Sequence, residues 1–523
     1  VGAGSAGCVL ANRLSADPAR RVLLLEAGGK DNYLWIHIPV GYLYTQNNPR
    51  TDWCFTTEVE AGLNGRALAY PRGRVLGGCS AINGMLYLRG QSADYDQWRQ
   101  LGNAGWSWEE VLPFFRRSED FVHGEDPIHG AGGEWRVEEM RTSWEILDAF
   151  REAAAQVGIP ATRDFNRGDN EGCGYFQVNQ RSGIRWTTAK GFLRPVLDRP
   201  NLAVLTHAHT QRVIFQGRRA VGVEFLHKGR PAQATARAEV TLAAGSVGSP
   251  QLLELSGVGQ GRLLQEHGIP VVHELPGVGE NLQDHLQIRT VYKVKNASTL
   301  NERANSLWGK FTMGLEYLLF RRGPLSMAPS QLGAFAKSDP DRATPNLEYH
   351  IQPLSLDKFG DPLHEFPAIT ASVCNLRPES RGSIHIKFPD CRQGPSIRPN
   401  YLSAPADREV AVSAIRLTRQ IMAAPAMQPY QPHEYLPGEQ FQSDRALVTE
   451  AGIIGTTIFH PVGTCKMGTD DRAVVDPELR VRGLENLRVV DASVMPTITS
   501  GNTNSPTVMI AEKGAEMILR AGR

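Results

Sequence analysis

Apolar and polar positions follow two periods along this chain, and the change of period marks the elements. Over residues 6–14 the apolar positions recur at helical spacing among good helix formers, and Asp17-Pro18 ends that run. Val22–Leu25 is a continuous apolar stretch, the pattern of a strand buried in a parallel sheet, and Glu26 closes it. Residues 30–70 are irregular and rich in aromatics and Asn, and residues 71–90 are rich in glycine. Residues 107–118 predict an amphipathic helix with Ser107 as N-cap and Glu110 three positions later, a capping box. A second helix is predicted over 143–157. Strands at 202–206, 211–216, 220–226 and 239–243 predict a β-meander feeding back into the parallel sheet, followed by a helix over 249–256 that Gly257 ends. Residues 290–450 mix strands such as 383–388 with helices such as 408–423 and carry no nucleotide motif.

At 523 residues the chain exceeds what one core fills, so at least two lobes are expected. Lys and Arg number 56 against 55 Asp and Glu, a net charge of +1, which excludes nucleic-acid binding through a broad basic field. The seven cysteines are odd in number and none has CxxC spacing, which argues for a reducing compartment rather than a disulfide framework. No His, Cys or Asp cluster has ligand spacing, so no metal is expected. No apolar run reaches the length of a membrane span. A strand should precede the opening turn, so upstream residues, including any signal peptide, are expected to be missing.

That turn is Gly2-Ala3-Gly4-Ser5-Ala6-Gly7, a GxGxxG pattern. The first Gly permits the tight turn, the second lets backbone approach a pyrophosphate, and the third lets the helix close on the strand. The helix N-terminus then faces the phosphates. Glu26, 19 positions after Gly7 at the end of the next strand, suits the 2′-hydroxyl of an adenosine ribose. The expected fold is therefore mixed α/β. It has a Rossmann-like dinucleotide domain built from residues 1–290 and 455–523, and a substrate domain over 291–454 with an antiparallel sheet flanked by helices. Small parts of 30–70 and 155–200 can belong to the substrate side.

Further motifs carry a family likeness. They are the stretch from Gly73 to Gly84 (GRVLGGCSAING), the stretch from Gly245 to Gly259 (GSVGSPQLLELSGVG), and the stretch from Phe459 to Gly468 (FHPVGTCKMG). To these add 487–493 and 501–507. Together they resemble the signatures of the glucose–methanol–choline (GMC) oxidoreductases over essentially the whole chain, most of all the choline-dehydrogenase-like and alcohol-dehydrogenase branch. The resemblance implies FAD as cofactor and oxidation of a CH–OH group. It implies cofactor contacts from Gly2, Gly4, Ser5, Ala6, Gly7, Glu26, Ala27, Arg74, Val75, Gly77, Gly78, Ser80, Met85, Ala244, Gly245, Asn502 and Thr503. Asn83 and Gly84 should lie beside the flavin, Asp491 and Ala492 near the ribityl and phosphate region, and Val213 at the adenine end. Ile82 stands where some members link the flavin through a His, so non-covalent FAD is expected. Cys79 replaces a more usual Gly, Ser or Thr as a small residue.

Alcohol oxidation needs the hydroxyl proton removed as hydride leaves carbon, and His is the side chain best suited to that near neutral pH. The resemblance assigns this role to His460 and the hydrogen-bonding partner to Asn504, 44 positions later. His285 is assigned a structural place near the flavin entrance. Gln331, His350, Ile458 and Phe459 are expected in the substrate pocket. Choline-specific relatives carry a carboxylate where Gln331 stands, so a neutral primary alcohol is preferred over choline. Electrons are expected to pass to a quinone-like acceptor, with O₂ the alternative. A lyase or photodecarboxylase on the same fold is disfavoured by His460. The expected location is cytoplasmic or peripheral at the inner membrane.

Overall fold

The computed structural model describes residues 1–357 and 361–522. The opening turn leads into a helix at Ser5–Leu14, and the Gly2 N–H donates to the Leu25 carbonyl while the Ala243 N–H donates to the Val1 carbonyl. Residues 1–2 thus lie between two parallel strand pairs, Val22–Leu25 with Leu202–Leu205 and Val240–Leu242 with Leu487–Val489. The final helix, Asn504–Ala521, lies against Ser5–Leu14. Arg13 clamps them, donating to Glu512 on the final helix and to Glu134 on a loop. A buried apolar cluster running from Ala3 to Ile518 forms the core of this lobe.

The capping-box helix is present at Trp108–Ser118, with the Ser107 N–H donating to Glu110 at 2.9 Å. The meander differs from expectation. Its strands are Ala208–Gln216, Arg219–His227 and Arg230–Thr235, whereas Leu202–Leu205 joins the parallel sheet beside Val22–Leu25. The third strand escaped the sequence reading because it is an edge strand with one face exposed and only Ala232 and Ala234 on the inner one, too small an apolar alternation to mark it. The helix expected over 249–256 begins at Gly245, with Pro250 inside it.

The second lobe is a seven-stranded antiparallel sheet. Its order is His433–Leu436, Leu286–Lys293, Ala368–Asn375, Leu347–Gln352, Leu332–Ala336, Gly172–Tyr175, with Gly455–Thr457 also beside Leu286–Lys293. Helices Glu145–Gln156, Pro405–Ala423 and Asp444–Ile454 cover one side. The sheet is therefore assembled from both chain ends as well as from 291–454. Gly455–Thr457, its short contribution from the C-terminal region, runs directly into His460. No helix among the described residues is long and apolar enough to cross a membrane.

Candidate active site

One cavity, with about 1970 Å³ of empty space including its mouth, runs between the lobes. At one end Gly2, Gly4, Ser5 and Ala6 line it. Gly4 caps the first helix without a side chain, so the N–H groups of the first turn face the cavity, a ready anion site. Gly7 does not reach the cavity: a Cβ there would stand 1.8 Å from the Gly2 carbonyl oxygen, so its glycine closes the turn. The second glycine segment stacks on the first. Gly78 has φ +51°, and a Cβ on it would meet Gly4 Cα at 2.6 Å. That contact brings Asn83, Gly84 and Met85 into the same wall. Gly77, Ser80 and Val75 lie behind it; the Gly77 N–H donates to Ala3, and the Ser80 hydroxyl bonds the Gly77 carbonyl.

Glu26 and Ala27 line the nucleotide end. The Glu26 carboxylate accepts from the Ala3 N–H at 2.9 Å and the Gly28 N–H at 2.7 Å, while burial pushes its pKa up to about 6. Trp53 and Phe55, from the stretch read as irregular, form an aromatic group here with His209. Arg74 sits over the Trp53 ring at 4.7 Å, behind that wall. Val213 does not line the cavity; its N–H donates to Ser256 Oγ, and Ala208, His209 and Thr210 earlier on the same strand line it instead. Along the middle, Ala244, Gly245, Asp491 and Ala492 form the wall. Asp491 is spent internally, accepting from Gly245 N–H, Ser249 Oγ, Ser493 N–H and Ser493 Oγ.

Ile458, Phe459, His460, His350, Asn502 and Thr503 line the far end, with Ser330, Gln287 and Gln352, while Asn504 lines the cavity against Ser5. Gln331 does not. Successive residues point to opposite faces, so Ser330 takes the cavity side while the fully buried Gln331 amide donates to the Ala328 carbonyl. Of the described lining residues only Glu26 and Asp491 are carboxylates, both away from this end. Glu348 stands one layer back, with its Oε1 3.2 Å from His350 Nε2.

His460 is held by a buried carboxylate. Asp284 Oδ1 accepts the backbone N–H of His285 at 2.9 Å and of His460 at 2.7 Å. Its Oδ2 accepts the hydroxyls of Tyr70, Tyr401 and Thr457 at 2.9, 2.5 and 2.6 Å. Phe459 adopts φ +70°, which turns the chain so that His460 follows. Arg72 steadies this turn by donating to the Phe459 carbonyl at 2.7 Å. The two histidine rings then meet: His285 Nδ1 lies 3.1 Å from His460 Nδ1, and His285 Nε2 lies 3.1 Å from the Leu376 carbonyl. Burial first, then the neighbouring His285, His350 and Arg72 charges, hold His460 well below the usual histidine pKa. Burial likewise lowers His285, so both rings are neutral at pH 7.

A carbonyl only accepts, so His285 Nε2 carries a hydrogen. Its Nδ1 is then a lone pair, and His460 must donate to it through Nδ1–H. His460 Nε2 is left as a lone pair. Asn504 is fixed in the opposite sense. Its Oδ1 accepts from Ser5 Oγ at 2.6 Å, while its Nδ2 is buried with no protein partner. An orphaned donor and a free lone pair on the walls of one cavity that starts at a helix N-terminus fit a dinucleotide cofactor with an alcohol in the same cavity.

His285, Glu348 and Cys374 bring ligand-type atoms within 4.8 Å of one another. Both His285 nitrogens are engaged in the network above, so that cluster offers no free imidazole lone pair to a metal. Sequence spacing gave no hint of it, because the three residues come from three different strands or strand ends.

These features define an α/β oxidoreductase that uses a dinucleotide cofactor. Models of the GMC oxidoreductase family match residues 1–287 and 378–511. An alcohol dehydrogenase [acceptor] of Pseudomonas putida is 44% identical, covering 99% of this chain and 95% of that protein. The human mitochondrial choline dehydrogenase is 42% identical, covering 99% and 89%. Among solved structures, a pyridoxine 4-oxidase from Mesorbium loti superposes with TM-score 0.90 at 32% identity, covering 99% and 97%. The chain belongs to the GMC oxidoreductase family.

Proposed function

We propose that this protein oxidises a neutral primary alcohol to the aldehyde, with His460 as base and Asn504 as the donor that holds the alcohol oxygen. The observation that carries this reading is the His285–His460 contact, which leaves His460 Nε2 unprotonated and facing the cavity. Bound FAD supplies the two-electron acceptor that receives the hydride from the carbinol carbon. The hydroxyl proton passes to His460 Nε2, and Asn504 Nδ2–H stabilises the oxygen as negative charge develops on it. Asp284 and Arg72 act by positioning the His460 backbone.

The residues present fit FAD in detail. The uncapped helix at Ser5 suits the pyrophosphate, Glu26 the adenosine ribose and Ala492 the ribityl region, while Asn83, Gly84, Asn502 and Thr503 are read as flanking the redox end. Ile82, also in the wall, has no nucleophile, which supports non-covalent binding. The cofactor unit is read as residues 1–290 with 455–523, and the substrate unit as 291–454. Among the described residues no carboxylate lines the substrate end, which favours a neutral alcohol over choline. A quinone-like acceptor is the preferred oxidant of the reduced flavin.

The test is anaerobic bleaching of the flavin absorption band with a panel of alcohols. Bleaching by neutral primary alcohols, lost in His460→Ala with flavin retained, supports the assignment. Unchanged bleaching in that variant refutes it. Slow recolouring in air, fast with a soluble quinone, identifies a dehydrogenase.

A further inference from the structure

The helix Leu307–Phe320 is turned inside out. Only Met313 and Tyr317, one turn apart, are buried against the protein, and the Tyr317 hydroxyl donates to the Gly183 carbonyl. Leu307, Trp308, Phe311 and Leu318 are 85%, 72%, 60% and 67% exposed. Leu315 and Leu319 are exposed as well. At helical spacing these six side chains fill an arc of about 120° opposite the anchored face. A lone exposed leucine is ordinary, but a contiguous apolar stripe marks a binding face. The helix has 14 residues, roughly 21 Å, too short to cross a bilayer.

Cations predominate at the margin of the stripe. Lys310, Arg321 and Arg322 are exposed at its margin and end, and Arg141 donates to the Arg321 carbonyl. Glu316, the acid on this helix, is neutralised by Arg303 at 3.6 Å. The chain as a whole is nearly balanced at +1, so this basic rim is local. After Arg322 the chain runs through Pro324–Ser326 to Pro329 and Ser330 in the cavity wall.

We propose that this helix lies in the plane of an anionic lipid bilayer, its Trp308–Phe311–Leu318 stripe among the upper acyl chains and its basic rim on the headgroups. A protruding convex stripe with cations beside it matches a lipid surface, where apolar burial and headgroup attraction add. The docking places the substrate end of the cavity beside the membrane. It goes beyond the alcohol chemistry and does not depend on it.

The test sediments the flavin-loaded protein with sucrose-loaded vesicles of equal parts phosphatidylglycerol and phosphatidylcholine. The wild type is expected in the pellet. The variant Trp308→Ser/Phe311→Ser/Leu315→Ser/Leu318→Ser, which leaves Met313 and Tyr317 in place, should partition at least about tenfold less while keeping its flavin. If that variant fails to fold, Lys310→Glu/Arg321→Glu/Arg322→Glu decides, and should also partition less at low salt. Wild type left in the supernatant overturns the proposal, as does equal partitioning of wild type and the variant used. A wild-type dimer that the serine variant dissociates, with neither form on vesicles, also overturns it and assigns the stripe to a second copy. Loss of alcohol oxidation without loss of vesicle binding would count against the catalytic reading alone.

Discussion

Asp284→Asn is the most informative single change, because it keeps the shape of the buried hub and removes its charge. Five donors converge on the carboxylate: two backbone N–H groups on one oxygen and three hydroxyls on the other. An asparagine oxygen can keep the two backbone donors. Its NH₂ then meets three hydroxyls with two hydrogens, so at most two hydroxyls can rotate to accept and one is orphaned. A buried orphan costs roughly 1–3 kcal/mol, and each remaining bond weakens from a charged to a neutral one. The summed loss is about 3–5 kcal/mol, a large share of ordinary stability but short of unfolding it. Thermal unfolding followed by circular dichroism should show a clear drop in Tm. Single-turnover flavin reduction should slow about tenfold, since a loosened His460 backbone blurs the alignment that proton transfer needs. A Tm within one degree of wild type, together with an unchanged reduction rate, would show that Asp284 does not hold the base, and the positioning argument would fall.

His460→Ala should reduce the flavin about 10²–10⁴-fold more slowly in stopped-flow mixing while retaining bound flavin. His285→Phe keeps a ring but removes the acceptor that fixes the His460 tautomer; kcat should fall with little change in KM, and the acid limb of the rate profile should move. In the wild type that limb in kcat/KM should lie below pH 6.5, because burial lowers the His460 pKa and the base stays unprotonated as pH falls past the usual histidine value. Glu26 has the opposite sign. Its pKa is raised to about 6, so it gains a proton as pH falls through that value and loses the charge that would receive the ribose hydroxyls. FAD affinity by fluorescence titration should therefore weaken from pH 7.5 to 5, and a flat profile would remove Glu26 from the site. Gln331→Glu should leave the preference between neutral and cationic alcohols unchanged and lower stability, since its side chain faces Ala328 rather than the cavity; a shift toward choline in competition assays would contradict this placement.

Much of this protein is written in local sequence. The glycine turn, the Ser5–Leu14 helix, the buried strand Val22–Leu25, the Ser107 capping box and His460 in its glycine-flanked loop are each short-range patterns with a short-range cause. The antiparallel sheet was expected, but its strands Leu332–Ala336, Leu347–Gln352 and Ala368–Asn375 were not individually marked, because they are buried along almost their whole length, which erases the alternation that announces a strand. Sequence alone determined that this chain carries a dinucleotide unit and marked His460 as the candidate base. Only the tertiary structure decided that Asp284 gathers five donors from distant segments, that His285 sets the proton on His460, that Gln331 faces away from the cavity, and that the apolar side of Leu307–Phe320 faces out. Each of these depends on which way a side chain points once distant elements have closed on one another, and spacing along a chain does not carry that direction.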